Sequence, residues 1–252
     1  MRKILALIIA TSLFISCGED QDDNISSNAN ISFKLSHSFN DTAVTAENFT
    51  NLDLTNANGE VLNIERFRYL ISRIELINSS GLAYKLKDYK FTDLAEIDSY
   101  NFNGDISIPS GNYTLKLIWG FNEEDNIDGA YQDLNTASWN WPTPLGGGYH
   151  FLQFDGKYNI NTTPTAFNYH NGTARISDGV FEQNFVTIEL ANPIFVANNT
   201  SIELKLDIAE LFKNPNTWDL NVLDTPLMPN YSAQKMMQEN IESVFNIGEI
   251  SN

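Results

Sequence analysis

The feature that most constrains the fold is an alternation of apolar and polar residues with a period of two, repeated along most of the chain. In SIELKLDI, Ile202, Leu204, Leu206 and Ile208 fall on one side and Glu203, Lys205 and Asp207 on the other. NISFKLSHSF groups Ile31, Phe33, Leu35, His37 and Phe39, and NYTLKLIWGF groups Tyr113, Leu115, Leu117, Trp119 and Phe121. Successive side chains of a strand point to opposite faces, so each such segment has one face to bury and one to leave in water. ERFRYLISRIELI, LAYKLKDYKFTDL, GDISI, YHFLQFDG, AFNYH and FVTIEL are further candidates, separated by the turn signals NANGE, NSSGL, IPSGNY and FDGKY. Many short strands with such turns predict an all-β fold, an antiparallel β-sandwich. Helix is expected as one turn in AELFKN and as a short C-terminal helix in NYSAQKMMQENIESVF. There Met237, Ile241, Val244 and Phe245 recur at helical spacing, and Asn230 or Ser232 can cap the start. The methionines read as core filler rather than metal ligands.

The N-terminus follows another pattern. MRKILALIIATSLFISC has a positive start at Arg2 and Lys3, then an apolar run from Ile4 to Ile15, shorter than the ~20 residues a bilayer span needs. Residues 1–16 therefore read as an export signal. Cys17, the single cysteine of the chain, stands where the lipidated cysteine of a bacterial lipoprotein stands, and is the expected lipid attachment. Residues 17–29 are polar and acidic, with little to bury, and are expected to form a disordered tether. Acidic residues directly after such a cysteine resemble the surface-export signal of Bacteroidota lipoproteins. The expected address is the outer membrane, held by the N-terminal lipid and facing the surface or the periplasm, with the folded domain over 30–252. One cysteine leaves no intrachain disulfide, and a formal charge of -17 argues against nucleic acid as a partner.

For chemistry, the chain offers no serine or cysteine nucleophile motif, and the glycine triplet 146–148 lacks the Lys-Ser/Thr of a phosphate loop. It is not expected to be an enzyme. It has three histidines, His37, His150 and His170, each near the end of a predicted strand, where a sandwich gathers its loops. Three imidazoles converging at one end would suit copper or zinc, and one shared metal site is expected. In SWNWPTPLGGGYHFLQFDG, Trp139 and Trp141 stand just before His150. A secondary cation site is expected at Glu124, Asn126 and Asp128, which with Gly129 keep the register of a calcium loop. The first position is Glu and the twelfth, Asn135, is not an acid, so an EF-hand is excluded and only a looser calcium site fits. The alternative reading is a surface β-sandwich module for glycan or protein, using Trp139, Trp141 and Tyr149 as an exposed stacking platform. Side-chain direction separates the two: close imidazoles favour metal, and solvent-facing rings favour the module.

The ordered segments FKLSH, NGEVLNIERFRYLISRIELINSSG, IPSGNYTLKLIWGFNEEDN, LNTASWNWP, GGYHFLQFDGKY and FNYHNGTA resemble the MbnP-like family of exported bacterial copper-binding proteins. Arg68-Tyr69-Leu70-Ile71-Ser72 approximates the family's Tyr-Tyr-Ile-Ser-like strand. The resemblance runs over roughly residues 30 to 245, and includes the late helix. It implies copper, as Cu(I) or Cu(II), captured or stored through histidines joined by a tryptophan oxidised to kynurenine. It also implies a dihaem peroxidase-like maturation partner. Indole offers a metal only an N–H donor, whereas the opened ring supplies an aniline nitrogen and a carbonyl oxygen. Here PTPLGG separates the Trp-x-Trp segment from Gly-Tyr, so the resemblance leaves Trp139 and Trp141 both open for that place.

Overall fold

The computed structural model describes residues 28–252, so the expected signal (1–16), Cys17 and the tether up to residue 27 lie outside the described residues. The alternating segments form strands, which in chain order are β1 (Asn28–Phe39), β2 (Thr42–Val44), β3 (Leu54–Thr55), β4 (Val61–Leu62), β5 (Arg66–Asn78), β6 (Ala83–Asp93), β7 (Asn101–Asn103), β8 (Ile108–Pro109), β9 (Gly111–Trp119), β10 (Leu152–Tyr158), β11 (Thr165–Asn171), β12 (Ala174–Ser177), β13 (Val180–Glu182), β14 (Val186–Val196), β15 (Asn199–Asp207) and β16 (Phe245–Ser251). Helices α1 (Gln132–Thr136) and α2 (Tyr231–Ile241) complete the set. The first sheet runs β16-β15-β1-β2, with β7 and β8 also on β1. The second runs β14-β9-β5-β10-β4-β3, with β6 on β5 and β11 on β10, and β12 and β13 form a separate hairpin. The expected all-β, mainly antiparallel fold is what the chain adopts. One pairing departs from it: β1 and β15 run parallel, with Phe33 opposite Ile202 and His37 opposite Leu206.

The apolar faces of both sheets meet in one core. Phe33, Leu35, Ile202, Leu204 and Leu206 come from the first sheet, and Phe67, Tyr69, Ile71, Leu115 and Leu117 from the second. Burying each such side chain contributes about 1.5–3 kcal/mol. Within the core, Tyr69 stacks on Trp119, with ring centroids 5.4 Å apart and planes 5° from parallel.

Strand β5 decides where the rest of the chain can go. Strand β6 pairs with β5 from Arg68 to Ile77 along one edge. The other edge is divided, β10 taking Arg66–Tyr69 and β9 taking Ile71–Asn78. At the fork, Gly120 N donates to Leu70 O (2.8 Å) and Leu70 N donates to Phe151 O (3.0 Å). Gly120 has φ +79°, and a Cβ there would lie 2.2 Å from the Phe151 ring. Only glycine fits both the backbone and the space. The chain between these two points, residues 121–150, leaves the sheet and folds over its outer face.

Helix α2 starts where expected, with the Asn230 side chain accepting from Ala233 N (3.1 Å). It ends at Ile241, short of the helical pattern, and Phe245 instead opens β16 on the edge of β15. Val244 and Phe245 are buried all the same, because the turn after the helix and the strand entry bring them to the same core. Buried Asn240 ties the helix down: its Nδ2 donates to Leu211 O (2.8 Å) and Asn216 O (2.9 Å), and its Oδ1 accepts from Asn216 N (2.9 Å). Asn240→Ala strips partners from one buried and two partly buried backbone groups, so the stability to urea unfolding should fall by about 3 kcal/mol with an unchanged m-value. A loss below ~1 kcal/mol would show that water replaces the amide.

Candidate metal centre

The centre lies on the outer face of the second sheet, under residues 121–150. Register puts Gln153 opposite both Arg68 and His170, and Asp155 opposite Arg66 and Asn168, so these six share that face. Arg68 hydrogen-bonds Gln153 Oε1 and lies with its Cζ 5.4 Å from the Trp139 ring centroid, a cation–π contact. Asp155 Oδ2 pairs with Arg66 Nε (2.5 Å), and its Oδ1 accepts from Asn168 Nδ2 (2.5 Å) and meets His170 Nε2 (2.9 Å). Burial works against a charge on Asp155, but the His170, Asn168 and Arg66 hydrogen bonds outweigh it and hold the carboxyl well below the usual carboxylate range.

His150 reaches the same face by another route. Residues 139–141 and 148–150 form a miniature antiparallel ladder: His150 N donates to Trp139 O (2.9 Å), Trp141 N donates to Gly148 O (2.9 Å), and Asn140 bridges Tyr149. PTPLGG is the loop that closes this ladder. Both indoles are thereby set against His150, Trp141 edge-on at 4.9 Å and Trp139 tilted at 5.5 Å between centroids. Trp141 Nε1 donates to Leu145 O (3.1 Å), whereas the buried Trp139 Nε1 has no hydrogen-bond partner among the described residues.

The two imidazoles lie 5.4 Å apart between centroids, nearly perpendicular at 80°. One nitrogen of each is fixed by a group that can only accept. His150 Nδ1 faces Trp139 O at 3.2 Å and His170 Nε2 faces the Asp155 carboxylate. Those nitrogens carry hydrogens, so His150 Nε2 and His170 Nδ1 are the ring positions left to meet a metal. Burial, reinforced by the neighbouring His170, pushes the His150 pKa down to about 3, so His150 is neutral at ordinary pH. A neutral imidazole with its second nitrogen bound to carbonyl or carboxylate is the form that ligates transition metals.

His37 is elsewhere. It lies on the inner face, its Nε2 3.0 Å from the hydroxyl of Tyr69, with Tyr100 packed edge-on against it. The second sheet stands between it and the other two, since Tyr69 points inward and its neighbour Arg68 outward. The structure thus brings together His150, His170, Trp139 and Trp141 and leaves out His37, which corrects the expected three-imidazole site to a pair. Among the described residues no group of three or more His, Cys, Asp and Glu side chains is placed to hold a metal ion.

Two further expectations are corrected. One oxygen of each residue read as a calcium site takes a partner within the protein: Glu124 Oε2 pairs with Arg73 (2.6 Å), Asn126 Oδ1 accepts from Tyr149 N (2.9 Å), and Asp128 Oδ1 accepts from Gly148 N (2.7 Å). The acidic loop clasps the glycine turn instead of a cation. The stacking platform is also overturned, because Trp139, Trp141 and Tyr149 are at most 1 % exposed. Sequence reasoning missed Asp155 and Arg66. The parity of FLQFDG, which sends Leu152 and Phe154 inward, could have placed Asp155 beside His170.

Two curled β-sheets with a buried histidine–tryptophan cluster on one outer face define the class of protein. The chain belongs to the MbnP family, whose model matches residues 28–234. MbnP from Methylosinus trichosporium has a similar structure, with a TM-score of 0.57 over 88 % of this chain and 99 % of that one; at 11 % identity the likeness shows a shared fold. A Kelch domain-containing protein of Sulfurisphaera tokodaii is 29 % identical over 104 residues, a match that spans 38 % of this chain and only 14 % of that protein.

His37 generates a prediction about acid stability. Burial pushes its pKa down to about 4, against 6.5 for a free imidazole. A depressed histidine pKa favours the neutral folded form, so this contribution is complete above pH ~6.5 and is lost as pH falls towards 4; it amounts to about 3 kcal/mol. Unfolding free energy measured against pH over that window should slope less steeply in His37→Phe than in the parent. Equal slopes would mean that His37 protonates freely in the folded protein.

Proposed function

We propose that the protein is an exported copper-binding protein that captures or stores the metal, with His150 Nε2 and His170 Nδ1 as its ligands. The observation that carries this reading is the buried pair of imidazoles 5.4 Å apart between centroids, each with one nitrogen committed to an acceptor and the other with no hydrogen bond to the described residues. Imidazole suits copper, and His150 supplies a neutral, buried ring as one ligand. Membership of the MbnP family supports copper as the metal. Two imidazoles leave room for a further donor, and Trp139 and Trp141 both border His150. Conversion of one of them to kynurenine by a dihaem peroxidase-like partner would supply it; Trp139, whose indole N–H has no partner among the described residues, loses the least on ring opening. The chain binds rather than catalyses in this reading. Lipidation at Cys17 would hold it at the outer membrane.

Copper stoichiometry and affinity, measured in single variants, test the assignment. His150→Ala and His170→Ala should each abolish tight binding, while His37→Phe should bind copper as the parent does. Asp155→Asn, which leaves the His170 tautomer unenforced, should weaken binding about 10- to 100-fold. Parent-like binding in both alanine variants would overturn the site.

A further inference from the structure

Helix α2 sends one side chain against the back of the centre. Gln234 is fully buried, on the side of the helix facing the end of β11. Its Nε2 donates to the backbone carbonyl of His170 (2.7 Å) and more weakly to that of Leu227 (3.2 Å). Its Oε1 accepts from Gly172 N (3.2 Å) and Asn171 Nδ2 (3.3 Å). The helix is fixed at this point, because Asn184 Nδ2 donates to the Gln234 carbonyl (3.0 Å). One amide head thus grips the backbone on both sides of residue 171, and it can do so only because it carries a donor and an acceptor together.

What it grips are the residues that shape the centre. The His170 ring is tied at its tip to Asp155, β10 pairs with one edge of the strand from which the ring hangs, and Gln234 holds the His170 carbonyl. Gly172 forms the wall behind Trp141: a Cβ there would lie 2.6 Å from the indole. The same segment carries the His170 ring and the wall behind Trp141, so a shift of it would disturb the contacts of both with His150.

We infer that Gln234 is a positioning residue of the metal centre, holding the end of β11 and with it the His170 ring in its place beside His150. The inference rests on the copper-binding reading. Ligand groups act together only when their supports fix them to within a fraction of an ångström, and this support comes from a helix far along the chain from either histidine.

The test is copper titration of the full chain carrying Gln234→Met, which keeps the side-chain length and removes both hydrogen-bonding ends. Affinity should fall about tenfold or more, and the Cu(II) paramagnetic resonance and visible spectra should shift. Asn240→Ala is the control: it lies on the same helix and is equally buried, but its partners are Leu211 and Asn216, so it should lower stability and leave the copper spectrum unchanged. If Gln234→Met does not fold, Asn184→Ala, which frees only the helix carbonyl at Gln234, should show the same changes at smaller amplitude. A folded variant at these positions with parent affinity and parent spectrum overturns the inference. If His150→Ala and His170→Ala lose copper while folded Gln234→Met matches the parent, the positioning role alone fails. If those two histidine variants bind copper like the parent, the copper-binding reading fails and takes this inference with it.

Discussion

Strand β5 lends a single edge to two strands, and most of the molecule's special features follow from that. Because β10 occupies Arg66–Tyr69 and β9 occupies Ile71–Asn78, the chain joining them cannot stay in the plane of the sheet. It must cross a face. The inner face is already filled by the core, so residues 121–150 cover the outer one. A sheet face that alternation would leave in water is thereby covered in part: His150, Gln153 and His170 are buried, while Arg66 and Asn168 stay exposed at its edge. Buried polar groups need partners, and Arg68 supplies one for Gln153 and Asp155 one for His170. Gly120 and Phe151 are the mechanical condition for this arrangement, one giving up a side chain so that the other can fill the fork.

The strands were largely legible because each had only to bury one face. β1, β5, β6, β9, β11, β14 and β15 appear where the period of two places them. Partners were less legible: nothing in NISFKLSHSF or SIELKLDI says that two strands so distant in sequence will pair in parallel. Parity also held more about the site than strand-end position did. His37 alternates with Phe33 and Leu35, and so belongs to the core. His170 alternates against Phe167 and Tyr169, and so belongs outside it. Those two could not share a site without a break in one strand. His150 defied parity: by alternation it sits with Leu152 and Phe154, but its backbone pairs with Trp139 and not with β5. That pairing depends on a hairpin whose loop, PTPLGG, carries no alternation to read.

The glycine triplet and the acidic loop are explained together. Gly146, Gly147 and Gly148 all have positive φ, a run that other residues could adopt only under strain. The amides exposed by that turn are then met by Asp128 at Gly148 and Asn126 at Tyr149. A carboxylate and an amide spaced as in a calcium loop are equally suited to receive backbone N–H groups. Burial of the turn over Trp141 selects the second use, because amides left unpaired there would each cost about 1–3 kcal/mol.

The two faces of the second sheet therefore do different physical work with the same residue type. On the inner face, His37 is a neutral imidazole whose Nε2 partner is a tyrosine hydroxyl and whose Nδ1 has no partner among the described residues. It has nothing to offer a metal beyond a single nitrogen enclosed by apolar rings, and its consequence is for stability against acid. On the outer face, a carbonyl and a carboxylate each take one ring hydrogen, which fixes the orientation of both rings and leaves His150 Nε2 and His170 Nδ1 uncommitted to that partner. What separates a core histidine from a candidate ligand here is thus the second nitrogen's partner, not the degree of burial, since His37 and His150 are buried alike at 5 % and 6 % exposure. That partner is fixed by backbone register: Trp139 O by the miniature ladder, Asp155 by the pairing of β10 with β11, and both by the fork on β5 that forces the covering segment across this face.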